Sequence, residues 1–304
     1  MSSIFISIAN YKDLETLNTV EELISKSSGK NELKICVFSQ IDLEDTCWDS
    51  LDTIPQVQHI KIDYKLAEGV CWARAEIQKY YANEDYFLQI DSHILFTENW
   101  DTLLIEDHKK ALQYGRKAIL TAYPTCYEFE DDKRIIPIKS PTKFILHMTN
   151  NIPSGLGKHV EEVDFPEHEY FIAAGFHFSS GDLIKKVPYD SELFFFGEEI
   201  TLAIRAYTAG YFIFSPTKYI CAHLYNYKRE KPLNNQRPIF WDKDEDTKRK
   251  LRWWMRDTTS RIKVYHICMG NWYGKYGIQD EILYKEFAIR IKEQHGIDIK
   301  QATM

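Results

Sequence analysis

Residues Tyr86–His93, YFLQIDSH, form an apolar run that leads directly into an Asp-x-His triplet. A short run of this kind is typical of a strand buried on both faces of a parallel sheet. Residues two apart in extended backbone point to the same side, so Asp91 and His93 are predicted to hold one divalent ion. A carboxylate with an imidazole suits Mn²⁺ better than Ca²⁺. The alternative is a strand end with two solvated polar residues, but ligands of open α/β sheets bind where the strands end.

The sequence on both sides of this run alternates between strand and helix patterns. Apolar residues at helical spacing predict helices through Leu14–Ile24, Val70–Tyr81 and Trp100–Tyr114. No Gly-x-Gly-x-x-Gly loop follows the first strand, which argues against an NAD-binding domain and a P-loop. This order predicts an α/β fold with an open, mostly parallel, Rossmann-like sheet and helices on both faces. The predicted strands of this half are Ile4–Ile8, Lys34–Ser39, Val57–Ile62, Tyr86–Ile90 and Ala118–Tyr123.

The second half has a weaker pattern. Proline, glycine and charged clusters from Glu128 to Val163 predict loops, which we expect to face an acceptor. We expect a core of residues 1–246, divided into a nucleotide-binding half (1–125) and an acceptor-facing half (126–246). Residues 247–304 are predicted to form a helical extension packed on it. The elements predicted here are strands Tyr170–Ser180 and Tyr211–Phe214 and helices Glu199–Gly210, Lys248–Ile267 and Asp280–His295.

Other candidate site residues stand at the ends of predicted elements. His223 ends an apolar run and is a third metal ligand, unless it is a packed histidine. Arg74 lies in the first turns of a helix that follows Gly69, where a diphosphate can bind, although a solvated arginine is the alternative. Glu198 and Glu199 follow an aromatic run and start a helix, so they are either capping residues or acids at an acceptor site.

Composition excludes several classes of protein. The chain has 304 residues and a formal net charge of −7, which does not favour nucleic-acid binding, although Thr247–Lys263 is basic. No apolar run approaches the roughly 20 residues of a membrane span. The N-terminus lacks a basic signal-peptide region, and the six cysteines form no Cys-x-x-Cys motif. We therefore expect a cytoplasmic protein with reduced thiols.

Taken in order, these motifs resemble one family. The chain is similar over nearly its whole length to the cytoplasmic polypeptide α-N-acetylglucosaminyltransferases that glycosylate hydroxyproline. These enzymes are of the GT-A type, with a mixed Rossmann-like sheet, and are related to the mucin-type polypeptide GalNAc-transferases. The stretches that carry the resemblance include ISIANYKD (Ile6–Asp13), AEGVCWAR (Ala67–Arg74), QIDSH (Gln89–His93), AAGFHFSSG (Ala173–Gly181), VPYDSELFFFGEEITLAIR (Val187–Arg205) and RPIFWD (Arg237–Asp242).

The resemblance implies a role for each matched position. Asp91, His93 and His223 would hold Mn²⁺, which bridges the diphosphate of a UDP-sugar. Glu198 and Glu199 would face the sugar and the acceptor hydroxyl, with retention of configuration and no covalent nucleophile. The other donor contacts it implies are Ala9, Asn10 and Tyr11 at uridine, Arg74 at the diphosphate, Gln89 at nucleotide or sugar, Ala174, Gly175 and Gly181 around the sugar, and Trp241 over the cleft.

The sequence thus favours a metal-dependent retaining glycosyltransferase. It would move GlcNAc, or a related N-acetylhexosamine or hexose, from a UDP-sugar to a hydroxyl of a polypeptide or glycan. One alternative is a hydrolase in which Asp91, His93 and His223 activate water. Another is a binding module on a transferase scaffold, which the intact Asp-His-His set argues against. The acceptor, the exact donor sugar and the oligomeric state stay open.

Overall fold

The computed structural model describes residues 1–131, 133–225 and 246–301. The strands of that part are β1 (Ser3–Tyr11), β2 (Glu32–Ile41), β3 (Val57–Asp63), β4 (Tyr86–Asp91), β5 (Ile94–Phe96), β6 (Lys117–Thr121), β7 (Thr125–Cys126), β8 (Glu128–Glu130), β9 (Lys133–Ile135), β10 (Thr142–Thr149), β11 (Ile152–His159), β12 (Glu167–Glu169), β13 (Phe176–Ser180), β14 (Tyr211–Ser215) and β15 (Cys221–His223). Its helices are α1 (Thr16–Ser25), α2 (Val70–Gln78), α3 (Trp100–Ala111), α4 (Leu183–Lys186), α5 (Glu198–Thr208), α6 (Thr247–Cys268) and α7 (Glu281–His295).

Eight strands form the main sheet, in the order β12-β14-β6-β13-β4-β1-β2-β3. Strands β3, β2, β1 and β4 are parallel to one another, and β14 is parallel to β6. Strand β13 is antiparallel to both β4 and β6, and β12 is antiparallel to β14. The α/β fold and the mixed sheet are therefore confirmed. The parallel part is smaller than predicted, because β13 enters the sheet after a long excursion and not through a helical crossover.

The predicted strand Tyr170–Ser180 is shorter than expected. Only Phe176–Ser180 are extended, because the preceding residues turn, with the Phe176 amide donating to the Ala173 carbonyl at 3.3 Å. The turn brings the Gly175 carbonyl to the amide of Asp91 at 3.1 Å, beside the carboxyl end of β4.

The region predicted as irregular, Glu128–Val163, contains two hairpins, β8–β9 and β10–β11. Strands β10 and β11 pair continuously from Thr142 with His159 to Thr149 with Ile152. Asn150 and Asn151 connect them with φ of +48° and +60°. Asparagine tolerates positive φ, and a two-residue loop with positive φ at both positions matches the right-handed twist of a hairpin. This pair was a local hairpin signal that the sequence analysis missed.

Apolar side chains on the two faces of the sheet form two cores. Along β1, Ile4, Ile6 and Ile8 face the α1 and α3 side, whereas Phe5 faces the side of α2. This alternation is the period of extended backbone. Much of the aromatic content is core: Trp100, Trp253 and nine phenylalanine or tyrosine side chains that include Phe87 and Phe178 are almost completely buried.

Helices α6 and α7 pack on α5 at the C-terminal end of the described chain. The Trp253 indole of α6 donates to the Ala67 carbonyl at 2.7 Å, and the Tyr207 hydroxyl of α5 donates to Glu286 of α7 at 2.8 Å. The division into a core and an extension at residue 247 stays a prediction. Within the described ranges, none of the helices combines the length and the hydropathy that a membrane crossing requires.

Candidate active site

Three side chains meet at the carboxyl end of β4. Asp91 is the last residue of that strand, His93 follows two residues later, and His223 ends β15. The His93 Nε2 atom lies 3.0 Å from His223 Nε2, which lies 3.1 Å from Asp91 Oδ2. The structure therefore brings together the three residues predicted as a metal-binding set, although 130 positions separate the two histidines.

Strand pairing outside the main sheet explains how His223 reaches this place. Strand β15 lies between β5 and β7, and His223 is opposite Ile94 in the antiparallel pair with β5. The amide of Leu224 donates to the carbonyl of His93 at 3.2 Å. Cys221, on the same strand, is buried in the apolar core, so it packs and does not join the cluster.

The cluster fits a divalent ion. One ligand atom from each of the three residues lies within 4.8 Å of the other two. An ion with octahedral ligands at about 2.1 Å places adjacent ligand atoms about 3.0 Å apart, which matches the two short distances above. One carboxylate and two imidazoles form a donor set that suits Mn²⁺ or a similar ion.

Asp91 is held as an anion by its neighbours. Burial alone would raise the pKa of this carboxyl, but the hydrogen bond from His223 and the charge of Arg74 hold it well below its usual range. The close wall on its other side is Gly175, where an added Cβ would lie 2.4 Å from Asp91 Oδ2. Any larger residue at that position would displace the carboxylate, so glycine is required for this approach.

Arg74 is not the solvated arginine considered as the alternative, and its contact with a diphosphate stays a prediction. Its side chain is buried and lies behind the cluster, donating to Asp91 Oδ1 at 2.7 Å and to Glu198 Oε2 at 3.0 Å. The guanidinium thus bridges a predicted metal ligand and a predicted catalytic acid. Gly69 precedes the helix with φ of +104°, as expected for the start of α2.

Glu198 begins α5, yet its carboxylate does not cap that helix. One oxygen, Oε2, accepts hydrogen bonds from Arg74, from the Tyr189 hydroxyl at 2.8 Å and from Cys71 Sγ at 3.0 Å. These three donors fix the carboxylate in the wall of the site. Capping, the alternative considered from the sequence, does not explain this arrangement.

Glu199 is the neighbouring acid and has a different environment. Its Oε1 atom accepts from the amide of Ala174 at 2.9 Å, and the Tyr123 hydroxyl donates to Oε2. Burial raises the pKa of Glu199 to about 7. This carboxyl therefore exchanges its proton near neutral pH, where a general acid or base is most effective.

These groups line one cavity of about 530 Å³, a size typical of small-ligand sites. Its wall contains both glutamates and five phenylalanine or tyrosine rings, which are Tyr11, Tyr123, Phe195, Phe196 and Tyr225. The predicted site residues that line it are Ala9, Tyr11, Arg74, Asp91, His93, Ala174, Gly175, Glu198, Glu199 and His223.

Three predicted contacts among the described residues are not part of this wall. Asn10 is buried and bonds Ser39 Oγ at 2.9 Å, and Gln89 donates to the Ala174 carbonyl at 2.8 Å, so both support the wall from behind. Gly181 lies at the opposite edge of the sheet, because β13 runs antiparallel and its last residue pairs with the first residue of β4. Trp241 lies outside the described residues.

Several wall residues were not identified from the sequence. Asp13 stands just beyond β1, at the edge where ligands bind, so its position was a usable signal. Tyr123 and Tyr225 also line the cavity. Tyr123 is the last residue of a predicted strand, and Tyr225 is two residues beyond His223. Tyr189 lies behind the wall, where its hydroxyl accepts from Arg74 and donates to Glu198, and no local signal marks it.

Comparison with known proteins places the chain among glycosyltransferases. A family model described as Glycosyltransferase (GlcNAc) matches residues 52–289. The crystal structure of GalNAc-T7 with UDP, GalNAc and Mn²⁺ superposes with a TM-score of 0.62 at 16% identity, covering 98% of this chain and 58% of that one. The crystal structure of S. aureus TarS superposes with a TM-score of 0.51 at 10% identity, covering 96% of this chain and 44% of that one. These likenesses show a GT-A fold. The chain spans little more than half of GalNAc-T7, and no curated protein matches it.

Proposed function

This chain belongs to the glycosyltransferase (GlcNAc) family, and from that premise we propose that it is a metal-dependent, retaining UDP-sugar glycosyltransferase. It transfers GlcNAc, or a related N-acetylhexosamine or hexose, to a hydroxyl of a polypeptide or glycan. The observation that carries the proposal is the cluster of Asp91, His93 and His223 in the same cavity wall as Glu198 and Glu199. A hydroxyproline acceptor and a cytoplasmic location, which the resemblance implies, are narrower forms of the same proposal.

The shape of the cavity supports a sugar-nucleotide donor. Ala9 and Tyr11 line it at the carboxyl end of β1, and β1 and β6, the strand that leads to Tyr123, lie on opposite sides of β4 in the sheet. GalNAc-T7, which shares the fold, was solved with UDP, GalNAc and Mn²⁺. We assign the β1 side to the nucleotide and the side of Glu199 to the sugar and acceptor.

The proposed metal ligands are Asp91, His93 and His223. A bound divalent ion supplies Lewis-acid chemistry, neutralising the charge that develops on a leaving diphosphate. Arg74 keeps Asp91 ionised and oriented toward the two histidines. Gly175 gives the carboxylate the room that this orientation needs.

The two glutamates have separate proposed roles. Glu198, held by Arg74 and Tyr189, presents a fixed acceptor of hydrogen bonds to hydroxyls of the sugar or the incoming acceptor. Glu199, with a pKa of about 7, accepts a proton near neutral pH and shares it with Tyr123. Neither residue acts as a covalent nucleophile in this proposal, in accord with the front-face retention that the resemblance implies.

A thermal-shift panel of sugar nucleotides tests the donor. A ligand that binds only the folded protein raises its melting temperature, and the rise grows with the logarithm of the ligand concentration divided by its Kd. We expect the largest rise for a UDP-sugar in the presence of Mn²⁺ and a much smaller rise without the metal. An equal response with and without Mn²⁺ would remove the metal from the proposal.

Acceptor stimulation separates a transferase from a hydrolase. Slow release of UDP from a UDP-sugar is common to both, because water can replace the acceptor. We expect UDP release to increase when a suitable peptide or glycan is added and the sugar to appear on that acceptor by mass spectrometry. Release that no acceptor changes would favour hydrolysis.

A further inference from the structure

Asp13 forms a close contact with one of the proposed metal ligands. It stands two residues beyond β1, and its side chain is buried at the cavity wall. Its Oδ2 atom lies 2.5 Å from His93 Nδ1 and accepts a hydrogen bond from Ser92 Oγ at 2.8 Å. The imidazole of His93 therefore lies between the Asp13 carboxylate and His223.

This contact determines the tautomer of His93. A carboxylate only accepts hydrogen bonds, so the ring nitrogen that faces it, Nδ1, carries the proton. The lone pair of a neutral ring then lies on Nε2, which is 3.0 Å from His223 Nε2 within the cluster. A ligand histidine whose other nitrogen donates to a carboxylate is both oriented and more basic.

The two carboxylate oxygens of Asp13 have different hydrogen-bond partners. Oδ1 accepts the amide of Glu15 at 3.0 Å and so holds the turn before α1, whereas Oδ2 faces His93. The main chain is also fixed, because the Asp13 amide donates to Asn10 Oδ1 at 2.8 Å and the Trp48 indole donates to the Asp13 carbonyl at 2.9 Å. The carboxylate is thus rigidly aimed at the ring.

We propose that Asp13 is the positioning residue of the divalent-ion site, holding His93 with its proton on Nδ1 and its Nε2 lone pair directed at the ion. The proposal rests on the metal site of the proposed function. Asp13 is not itself a ligand in it, because its Oδ2 is already used by His93 and Ser92.

The Asp13→Asn variant tests this with little change in shape. If the amide NH₂ faces His93, Nδ1 must become an acceptor, the ring proton moves to Nε2, and the metal-binding lone pair is lost. If the amide turns over, the bond to the Glu15 amide is lost instead. We expect a 10- to 100-fold loss of Mn²⁺ affinity, about the range for outer partners of metal ligands.

The affinity is measured by titrating the metal-free full-length protein with MnCl₂ and following free Mn²⁺ by electron paramagnetic resonance. Asp52→Asn is the matched control, since Asp52 contacts His59 in the same way but away from the cavity. Circular dichroism and the melting temperature check that both variants fold. A wild-type Mn²⁺ affinity in folded Asp13→Asn would overturn the proposal.

Nitrogen-15 NMR of the imidazoles in metal-free wild-type protein gives an answer that does not depend on whether an Asp13 variant folds. We expect His93, assigned with the His93→Gln variant, to carry its proton on Nδ1, and Asp13→Asn to move it to Nε2. A wild-type ring protonated on Nε2 alone would contradict the assignment. If the wild-type protein binds no Mn²⁺, the proposed function fails, while the tautomer still decides the role of Asp13.

Discussion

In two aspartate–histidine pairs of this molecule, the carboxylate faces Nδ1 of the imidazole ring, but the Nε2 atom has a different neighbour in each pair. In one pair, Asp13 accepts from His93 Nδ1; in the other, Asp52 Oδ1 lies 2.7 Å from His59 Nδ1. The second nitrogen of His59 meets Ser39 Oγ at 2.8 Å. The second nitrogen of His93 faces His223 and the carboxylate of Asp91 beyond it.

The environment of Nε2 distinguishes a structural histidine from a candidate metal ligand. The Asn10 amide donates to Ser39 Oγ, so the Ser39 hydroxyl donates to His59 and fills its lone pair. Burial, the main cause, lowers the pKa of His59 and favours its neutral form. His93 instead directs its Nε2 toward two other metal-binding groups at a cavity. A carboxylate partner alone does not distinguish the two cases.

The largest expected effect is on metal-dependent donor binding. We predict that His93→Ala abolishes Mn²⁺-dependent binding of UDP, because it removes one ligand from the proposed set. His59→Ala should leave that binding unchanged, since His59 lies away from the cavity. Isothermal titration calorimetry with UDP and Mn²⁺ measures both. An unchanged UDP affinity in folded His93→Ala would contradict the metal assignment.

The regions around His93 and His59 also differ in how deeply their charged side chains are buried. Arg74→Met leaves Asp91 and Glu198 buried without their common cation, so we expect a loss of about 3–5 kcal/mol in the free energy of unfolding. Lys61→Met removes the cation beside Asp52, where both partners are partly exposed, and should cost less than about 1 kcal/mol. Urea unfolding of both variants measures the contrast. Similar losses of unfolding free energy in the two variants would contradict the expected difference between the two regions.

Glu198→Gln separates chemistry from donor binding in the His93 region. The variant keeps the shape of the side chain but loses its charge, so we expect transfer to fall about 100-fold or more with a near-normal UDP affinity. Initial rates at saturating donor, together with calorimetry, give the two quantities. A parallel loss of both would instead assign Glu198 to donor binding or to folding.

The smallest expected effect concerns pH. Burial raises the pKa of Glu199 from 4.5 in the unfolded chain to about 7 in the folded protein. The folded state therefore binds more protons between these values, and the contribution of Glu199 to stability falls as pH rises from about 4.5 to about 7. The stability of Glu199→Gln relative to wild type should thus increase over that interval in urea unfolding experiments. A constant difference would show that Glu199 is not perturbed.

Much of the fold could be predicted because its signals are local. All five strands predicted in the first half are present, with ends that differ by a few residues, since buried apolar runs are visible in the sequence itself. The helices of both halves are present for a similar reason. The antiparallel direction of β13 was missed, because no local pattern encodes which neighbours a strand will pair with.

The candidate site also contains parts that local sequence predicts and parts that it does not. Asp91 and His93 are two apart on one strand end, so their approach follows from strand geometry. Gly181 was expected at the sugar but lies at the far edge of the sheet. Arg74 was expected at the diphosphate, which stays a prediction, and its bridge between two carboxylates was not predicted.

Short-range periodicity and side-chain chemistry are visible in the sequence. They were enough to predict the α/β class, the strand that ends in Asp91 and the residue types available for a metal site. Which distant groups share that site depends on the tertiary structure. The pairing of β15 with β5 brings His223 to His93, and the packing of α2 beside α5 brings Arg74 to Glu198. Such contacts form when apolar faces of separate elements are buried against each other, so the sequence of a single segment does not predict them.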